Sequence, residues 1–215
     1  MSTYHQDMAA RKRAAITGAA TALFLEAGYD GTSLARIADA AGVSKATLFK
    51  QFPTKAALFD AIVTESWQAG DDDPPPPTGD LARGLTVIGR RYAALLSAPG
   101  MAALFRIVIA ELPRFPELGE TQFQRGKLPY FESVRKYLEN EHEAGAARVD
   151  DPVTAANQFL GMISNFVFWP RMLLIHWDPD ETEIAHAVHE AVRTMIARYA
   201  AGSTATTSQE SPAGP

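Results

Sequence analysis

Residues 32–55, TSLARIADAAGVSKATLFKQFPTK, constrain the fold of this chain more tightly than any other stretch. Leu34, Ile37, Ala38 and Ala41 recur at three- and four-residue spacing, which predicts a short helix with one inward face. Thr32 or Ser33 can cap its start, and the small residues at 38 and 41 let another helix approach closely. Gly42 suits a sharp turn, Val43 plugs the angle, and Ser44 is placed to cap a second helix. In that helix Leu48 faces the core, while Lys45, Ala46, Thr47, Phe49 and Lys50 spread over the remaining faces. Phe52 closes the small core and Pro53 ends the run. Thr54 can cap a further helix from Lys55 to about Gln68, packed through Leu58, Phe59, Ile62 and Val63. Upstream, Ile16, Ala19, Ala20, Leu23 and Phe24 predict a helix from Arg13 to a stop at Gly28, with Tyr29 folding back as an apolar lid. Residues 1–10 are polar and expected to be loose. The Arg11-Lys12-Arg13 cluster fits either a phosphate backbone or a solvated helix start.

Charge points the same way once it is resolved by position. The formal net charge is −5, but residues 1–70 carry seven Lys/Arg against six Asp/Glu, and the remainder carries −6. Within residues 31–58, Arg36, Lys45, Lys50 and Lys55 face a single acid, Asp39. Phosphate attraction depends on where charges lie, so a locally positive face on an acidic protein suits duplex DNA. Lys45 and Lys50 can reach guanine acceptors or phosphate, and Thr47 can serve either role. Free N–H groups in the first helical turn add a phosphate site.

Other function classes are poorly served. The chain has no cysteine, which removes disulfides, thiolate chemistry and cysteine-based zinc sites. Its five histidines form no cluster with carboxylates, and no glycine-rich phosphate loop is present. His186 and His189 beside Glu183 and Glu190 read as a surface metal site or, more simply, as solvated residues. A non-enzymatic protein without cofactor or metal is therefore expected. No apolar run reaches the ~18 to 20 residues of a membrane span, and the N-terminus lacks a signal-peptide core, so a cytoplasmic location is expected.

Beyond the head the texture changes. Residues 70–79, GDDDPPPPTG, predict a loop, because four prolines exclude a helix. Long helices are then expected over 80–97, 101–111, about 120–143, 152–169 and about 179–200, separated by Pro99-Gly100, a turn over ELPRFPELG at 111–119, Gly145 and Pro170. Asp151-Pro152 is a strong helix start. The tail, AGSTATTSQESPAGP, is expected to be disordered. The fold class is thus all-α with about nine helices: a head over 1–54, a connecting helix over 55–70, a proline-rich loop over 71–79, and a helical domain over 80–200.

Residues 24–59, FLEAGYDGTSLARIADAAGVSKATLFKQFPTKAALF, resemble the TetR family of bacterial transcriptional regulators. ELPRFPELG followed by a helix and DDPVTAANQFLG looks like the C-terminal ligand-binding and dimerisation domain of AefR-like members. The resemblance implies a homodimer whose two heads enter successive major grooves of operator DNA, and a C-terminal domain that often binds a small-molecule effector releasing it. It makes Lys45–Phe52 the recognition helix, with Lys45, Ala46, Thr47 and Lys50 facing the groove. Thr32, Phe49 and Lys55 would lie near the backbone, and Arg36 and Ser44 complete the expected set. Most members have tyrosine where this chain has Phe49, and many have glycine in place of Ala46. A phenylalanine cannot donate to phosphate, whereas the Ala46 methyl can touch a thymine methyl.

For the C-terminal domain, Tyr92, Met101, Phe105, Phe131, Phe159, Phe166, Trp169, His176 and Trp177 are candidates for a pocket taking an apolar or aromatic ligand. Arg106, Glu111, Asn157, Gln158 and Asn165 are candidate polar anchors. The resemblance places the two-fold contact on the last two large helices, roughly 152–169 and 180–200, here through Phe159, Ile163, Phe166, Val188, Val192 and Met195, and reading a palindrome needs two heads roughly 34 to 36 Å apart. The implied function is a homodimeric repressor released from a palindromic operator by a small molecule. A ligand-unresponsive regulator or activator, and a DNA-free helical ligand binder, remain the alternatives.

Overall fold

The computed structural model describes residues 2–68, 74–174 and 176–201, and among them every regular element is helical. The elements are α1 (Ser2–Ala27), α2 (Leu34–Ala40), α3 (Lys45–Gln51), α4 (Lys55–Trp67), α5 (Leu81–Ser97) and α6 (Pro99–Glu111). They continue as α7 (Pro116–Thr121), a π-helical segment (Gln122–Lys127), α8 (Leu128–Glu143), α9 (Pro152–Val167), α10 (Trp169–Leu173) and α11 (Glu181–Tyr199). The described residues thus hold more helical segments than the expected nine, because the structure divides two of the anticipated long helices.

The head forms as its caps dictate. Ser33, rather than Thr32, caps α2 by accepting the Arg36 N–H, Ser44 caps α3 by accepting that of Thr47, and Thr54 caps α4 by accepting that of Ala57. The turn between α2 and α3 is made by Gly42 at φ +64°, a left-handed value only glycine adopts cheaply. Ile16, Ala20, Phe24, Ile37, Ala38, Leu48, Phe52, Leu58 and Phe59 are buried together. One expectation is corrected: the N-terminal residues are not loose, since α1 is helical from Ser2 onward. Arg13 is held in the head, its Nε pairing with Glu65 at 2.6 Å and its guanidinium lying 4.8 Å from the Phe52 ring centre.

The head joins the rest at a turn gripped from two sides. Gly28 (φ +76°) ends α1, and a Cβ there would sit 2.6 Å from the Glu111 carboxylate. That carboxylate accepts the Tyr29 N–H at 2.8 Å, Arg114 pairs with Asp30 at 2.6 Å, and Phe115 meets the Tyr29 ring edge-on at 5.2 Å. Burial, then the nearby Glu117 charge, pushes the Tyr29 phenol up to about 12. The ELPRF stretch, expected as a plain turn, is thus the clamp on the head, and Pro116 starts α7 within it.

Behind the clamp, α11 packs on α5 and α9, and α8 on α9, around Leu85, Ile88, Leu138, Phe159, Ile163, Val188 and Met195. Asp151 accepts the Thr154 N–H as α9 starts, and Asp180 with Glu183 forms a capping box on α11. The expected helix through Trp169 ends instead at Val167, and Pro170 opens α10. The expected helix over 120–143 contains the π-helical turn, in which the Leu128 N–H donates to Phe123. Pro129 has no N–H to return to the preceding turn, which accounts for the widened register. The prolines at 74–77 are non-helical, while Gly70–Asp73 and the tail from Gly202 lie outside the described residues. No single helix among the described residues is long and apolar enough to cross a membrane.

Candidate nucleic-acid interface and interior cavities

The outward face of α3 is built by one anchor and one cap. Leu48 is fully buried and pins the helix, which leaves Lys45, Ala46, Phe49 and Lys50 exposed on the opposite side. Lys45 with Phe49, and Ala46 with Lys50, stand side by side at four-residue spacing. Phe49 is 48 % exposed, a large ring in solvent on a polar face. The Ser44 hydroxyl meets that of Thr47 at 2.8 Å, so both are engaged at the start of the helix. Arg36, on α2, is exposed and pairs loosely with Glu26 at 3.3 Å. Arg36, Lys45, Ala46, Phe49 and Lys50 thus have exposed side chains on or beside the recognition helix, with Ser44 and Thr47 at its first turn.

Two residues expected near the DNA backbone are engaged within the head. Thr32 is 1 % exposed, and its hydroxyl donates inward to the Leu23 and Gly28 carbonyls. Lys55 directs its ammonium to the carbonyls of Tyr29 at 2.5 Å, Thr32 at 3.0 Å and Asp30 at 3.3 Å, with the Tyr29 ring centre 4.4 Å away. Burial lowers its pKa from the ordinary lysine value, partly opposed by Asp30 and Glu111. The ammonium thus gathers the carbonyls of the turn that joins α1 to α2. Lys55 is therefore a structural cation of the head.

The C-terminal helices enclose a partly open cavity of about 580 Å³. Its walls come from α4 (Thr64, Trp67, Gln68), α5 (Ile88, Arg91, Leu95), the π-helical turn (Gln124, Arg125, Gly126) and α8 (Pro129, Tyr130, Ser133, Val134, Tyr137), with Pro76 closing one side. Trp67 and Tyr130 separate it from a smaller space of about 90 Å³ that Tyr92 and Phe131 line. A Cβ at Gly126 would lie 2.3 Å from Trp67 Nε1, so this approach of the π-turn to α4 requires glycine. Trp67 is 8 % exposed, and its indole N–H has no hydrogen-bond partner. The proline loop is tied down: Arg91 donates to the Pro74 carbonyl, Tyr137 to that of Pro77, and the Gly79 N–H donates to the buried Glu141 carboxylate.

Of the expected ligand residues, Tyr92 and Phe131 reach only the smaller space. Met101 and Phe159 are buried in the core, Phe105 packs edge-on against Phe168, and Phe166 against Trp177. Trp169 and His176 are exposed, away from both cavities. The residues that do line the larger cavity went unrecognised, since they converge from five segments and share no spacing. The only local signal was Gly126 close to Pro129.

The expected dimer set needs correcting as well. Phe159, Ile163, Val188, Val192 and Met195 are buried within the protomer, the first three against Gly89 of α5, and only Phe166 is part-exposed. The outward face of these helices is instead a shallow hollow of about 350 Å³ lined by Gln158, Met162, Thr194, Met195, Arg198 and Tyr199. Among the described residues no three His, Asp or Glu side chains converge on a metal-sized site.

Comparison with known proteins agrees with this architecture. Residues 83–201 match the model of the AefR-like transcriptional repressor C-terminal domain, and residues 16–62 that of bacterial regulatory proteins of the tetR family. The regulator RutR of Escherichia coli K12 is 44 % identical over 54 residues, a match spanning 25 % of this chain and 26 % of RutR. A solved regulator from Mesorhizobium loti superposes with a TM-score of 0.74 at 28 % identity, covering 89 % of this chain and 98 % of that one. The flavonoid-responsive regulator FrrA superposes with a TM-score of 0.71 at 32 % identity, with the same coverage of 89 % and 98 %.

Proposed function

The chain belongs to the TetR family of bacterial transcriptional regulators and is a sequence-specific DNA-binding protein; from that premise we propose a cytoplasmic homodimeric repressor, released from a palindromic operator by an aromatic small molecule. One observation carries this reading. Helix α4 starts at Lys55, which holds the head together, and ends at Trp67, which lines the 580 Å³ cavity. A ligand that moved Trp67 would move a helix that packs on α1 and carries Leu58 and Phe59 into the head core, which would link occupancy to head position. Linkage makes the effect reciprocal: DNA weakens effector binding by the same factor as effector weakens DNA binding, and ~3 kcal/mol of coupling is roughly 150-fold.

Lys45 and Lys50 are assigned to base edges or phosphate, Phe49 and Ala46 to apolar contact, and Arg36, Ser44 and Thr47 to the flanking backbone. The second copy is assigned to the hollow on α9 and α11, where Met162 and Thr194 are open beside Arg198. An aromatic effector is favoured because Trp67, Tyr130 and Tyr137 surround the larger cavity and because FrrA is described as flavonoid-responsive.

Selection of bound sequences from a random duplex pool tests the core of this reading. Enrichment of a two-fold palindrome is expected, and an enriched unpaired half-site would remove the dimer. No enrichment at all would remove operator recognition. Enrichment unaffected by any aromatic effector would favour the ligand-unresponsive alternative.

A further inference from the structure

We infer that the effector site selects an aromatic molecule carrying an acidic group, and that this group binds by taking Arg125 from Asp60. The inference rests on the cavity reading above and deepens it. Arg91 and Arg125 line the larger cavity and Lys127 the smaller one, while no carboxylate lines either space among the described residues. The whole chain has 25 Asp and Glu against 20 Lys and Arg, so the bias of these walls runs against its composition. The remaining walls suit a flat ring. Trp67, Tyr130 and Tyr137 supply faces, and Ile88, Leu95 and Val134 supply aliphatic contact.

Guanidinium groups recognise carboxylates and phenolates through charge-assisted, planar hydrogen bonds. Arg125 is the one positioned to exchange partners. It sits on the π-helical turn and pairs with Asp60 of α4 at 3.1 Å, with Arg125 66 % and Asp60 43 % exposed. Such an exposed pair gives way at little cost. Asp60 lies one turn before Thr64, a wall residue, so the exchange occurs at the edge of the cavity. Losing it frees a tie between α4 and the π-turn, the same contact that Gly126 and Trp67 make by close packing. Arg91 differs: its guanidinium already donates to the Pro74 carbonyl, which places it as a fixed positive wall.

Matched acid and amide probes test this on the full-length protein by calorimetry at pH 7.5. 2-Naphthoate and biphenyl-4-carboxylate are compared with 2-naphthamide and biphenyl-4-carboxamide. The acids are expected to bind at least ~10-fold more tightly. Arg125→Gln should bring them to the level of the amides without changing the amides, and Asp60→Asn should strengthen the acids several-fold by removing the competitor. Equal binding of acid and amide overturns the anion assignment while leaving an aromatic cavity in place. An acid preference that survives Arg125→Gln, or acids that gain nothing from Asp60→Asn, overturns the exchange with Asp60. Failure of all four probes to bind removes the cavity reading itself.

Discussion

Replacing Lys55 by methionine separates a structural role from a DNA contact at the residue where the two readings differ most. The substitution keeps the apolar stem and removes the ammonium, leaving the carbonyls of Tyr29, Asp30 and Thr32 to find water. Hydrogen bonds to a charged group contribute about 1.5–3 kcal/mol each. One ammonium shared among three carbonyls at a part-exposed site does not deliver three such bonds in full. Loss of the ring contact adds about 0.5–1 kcal/mol. A total near 2 kcal/mol is therefore expected, and for a chain of this size it lowers Tm by roughly 4–8 °C. Thermal unfolding by circular dichroism, at matched protein concentration because dimerisation itself raises Tm, gives the number. Fluorescence anisotropy on the selected operator gives the other half. At a temperature where the variant is folded, its affinity should keep the parental dependence on salt. A variant with unchanged Tm whose salt slope falls by about 1.8, about 0.9 for each protomer of the dimer, would refute the structural assignment and return Lys55 to the phosphate backbone.

Three further outcomes follow from the same geometry. Lys50→Ala should leave Tm unchanged and weaken operator binding, with the salt slope reduced by about 1.8 for the dimer if each ammonium meets phosphate, or with relaxed preference at one base pair of each half-site if it meets guanine. Gly126→Ala should lower stability by about 1–3 kcal/mol in urea unfolding despite alanine's better helix propensity, because its Cβ would stand 2.3 Å from Trp67 Nε1. Of the six tyrosines, Tyr137, which burial and then the Glu141 and Asp80 charges raise most, should ionise last in an ultraviolet titration, just after Tyr29 and Tyr92, whose phenols burial pushes up to about 12. Their folded pKa exceeds the unfolded value near 10, so the stability they contribute is whole below about pH 10 and is lost between there and about 12; early ionisation in the folded protein would count against their burial.

Local chemistry was enough to read the head. Ser44, Gly42, Val43 and Leu48 act within a few residues of one another, and capping, turn formation and helical periodicity are short-range effects that a linear chain displays directly. Asp151-Pro152 and Gly28 were legible for the same reason. The family resemblance rested on that stretch, and it carried the all-helical layout of the remainder. Helical periodicity also identified the apolar faces of α9 and α11, but it could not say what would cover them. Val188 and Phe159 face α5 inside the protomer, leaving Met162 and Thr194 outside. An apolar stripe looks alike whether its partner is the same subunit or another.

What only the tertiary structure decided lies where distant segments meet. Lys55 reads as an exposed basic residue until the carbonyls of the turn after α1 are brought to it from more than twenty positions away. Glu111 and Arg114 read as turn residues until the head's Tyr29 and Asp30 arrive, and the proline run reads as a spacer until Arg91, Tyr137 and Glu141 hold it beside the cavity. The sequence by itself determined that a helix-turn-helix head would form and which residues of α3 could face outward. Packing decided which cations remain free to meet DNA and which five segments enclose the cavity, because burial and partnership belong to the assembled chain and have no counterpart in local spacing.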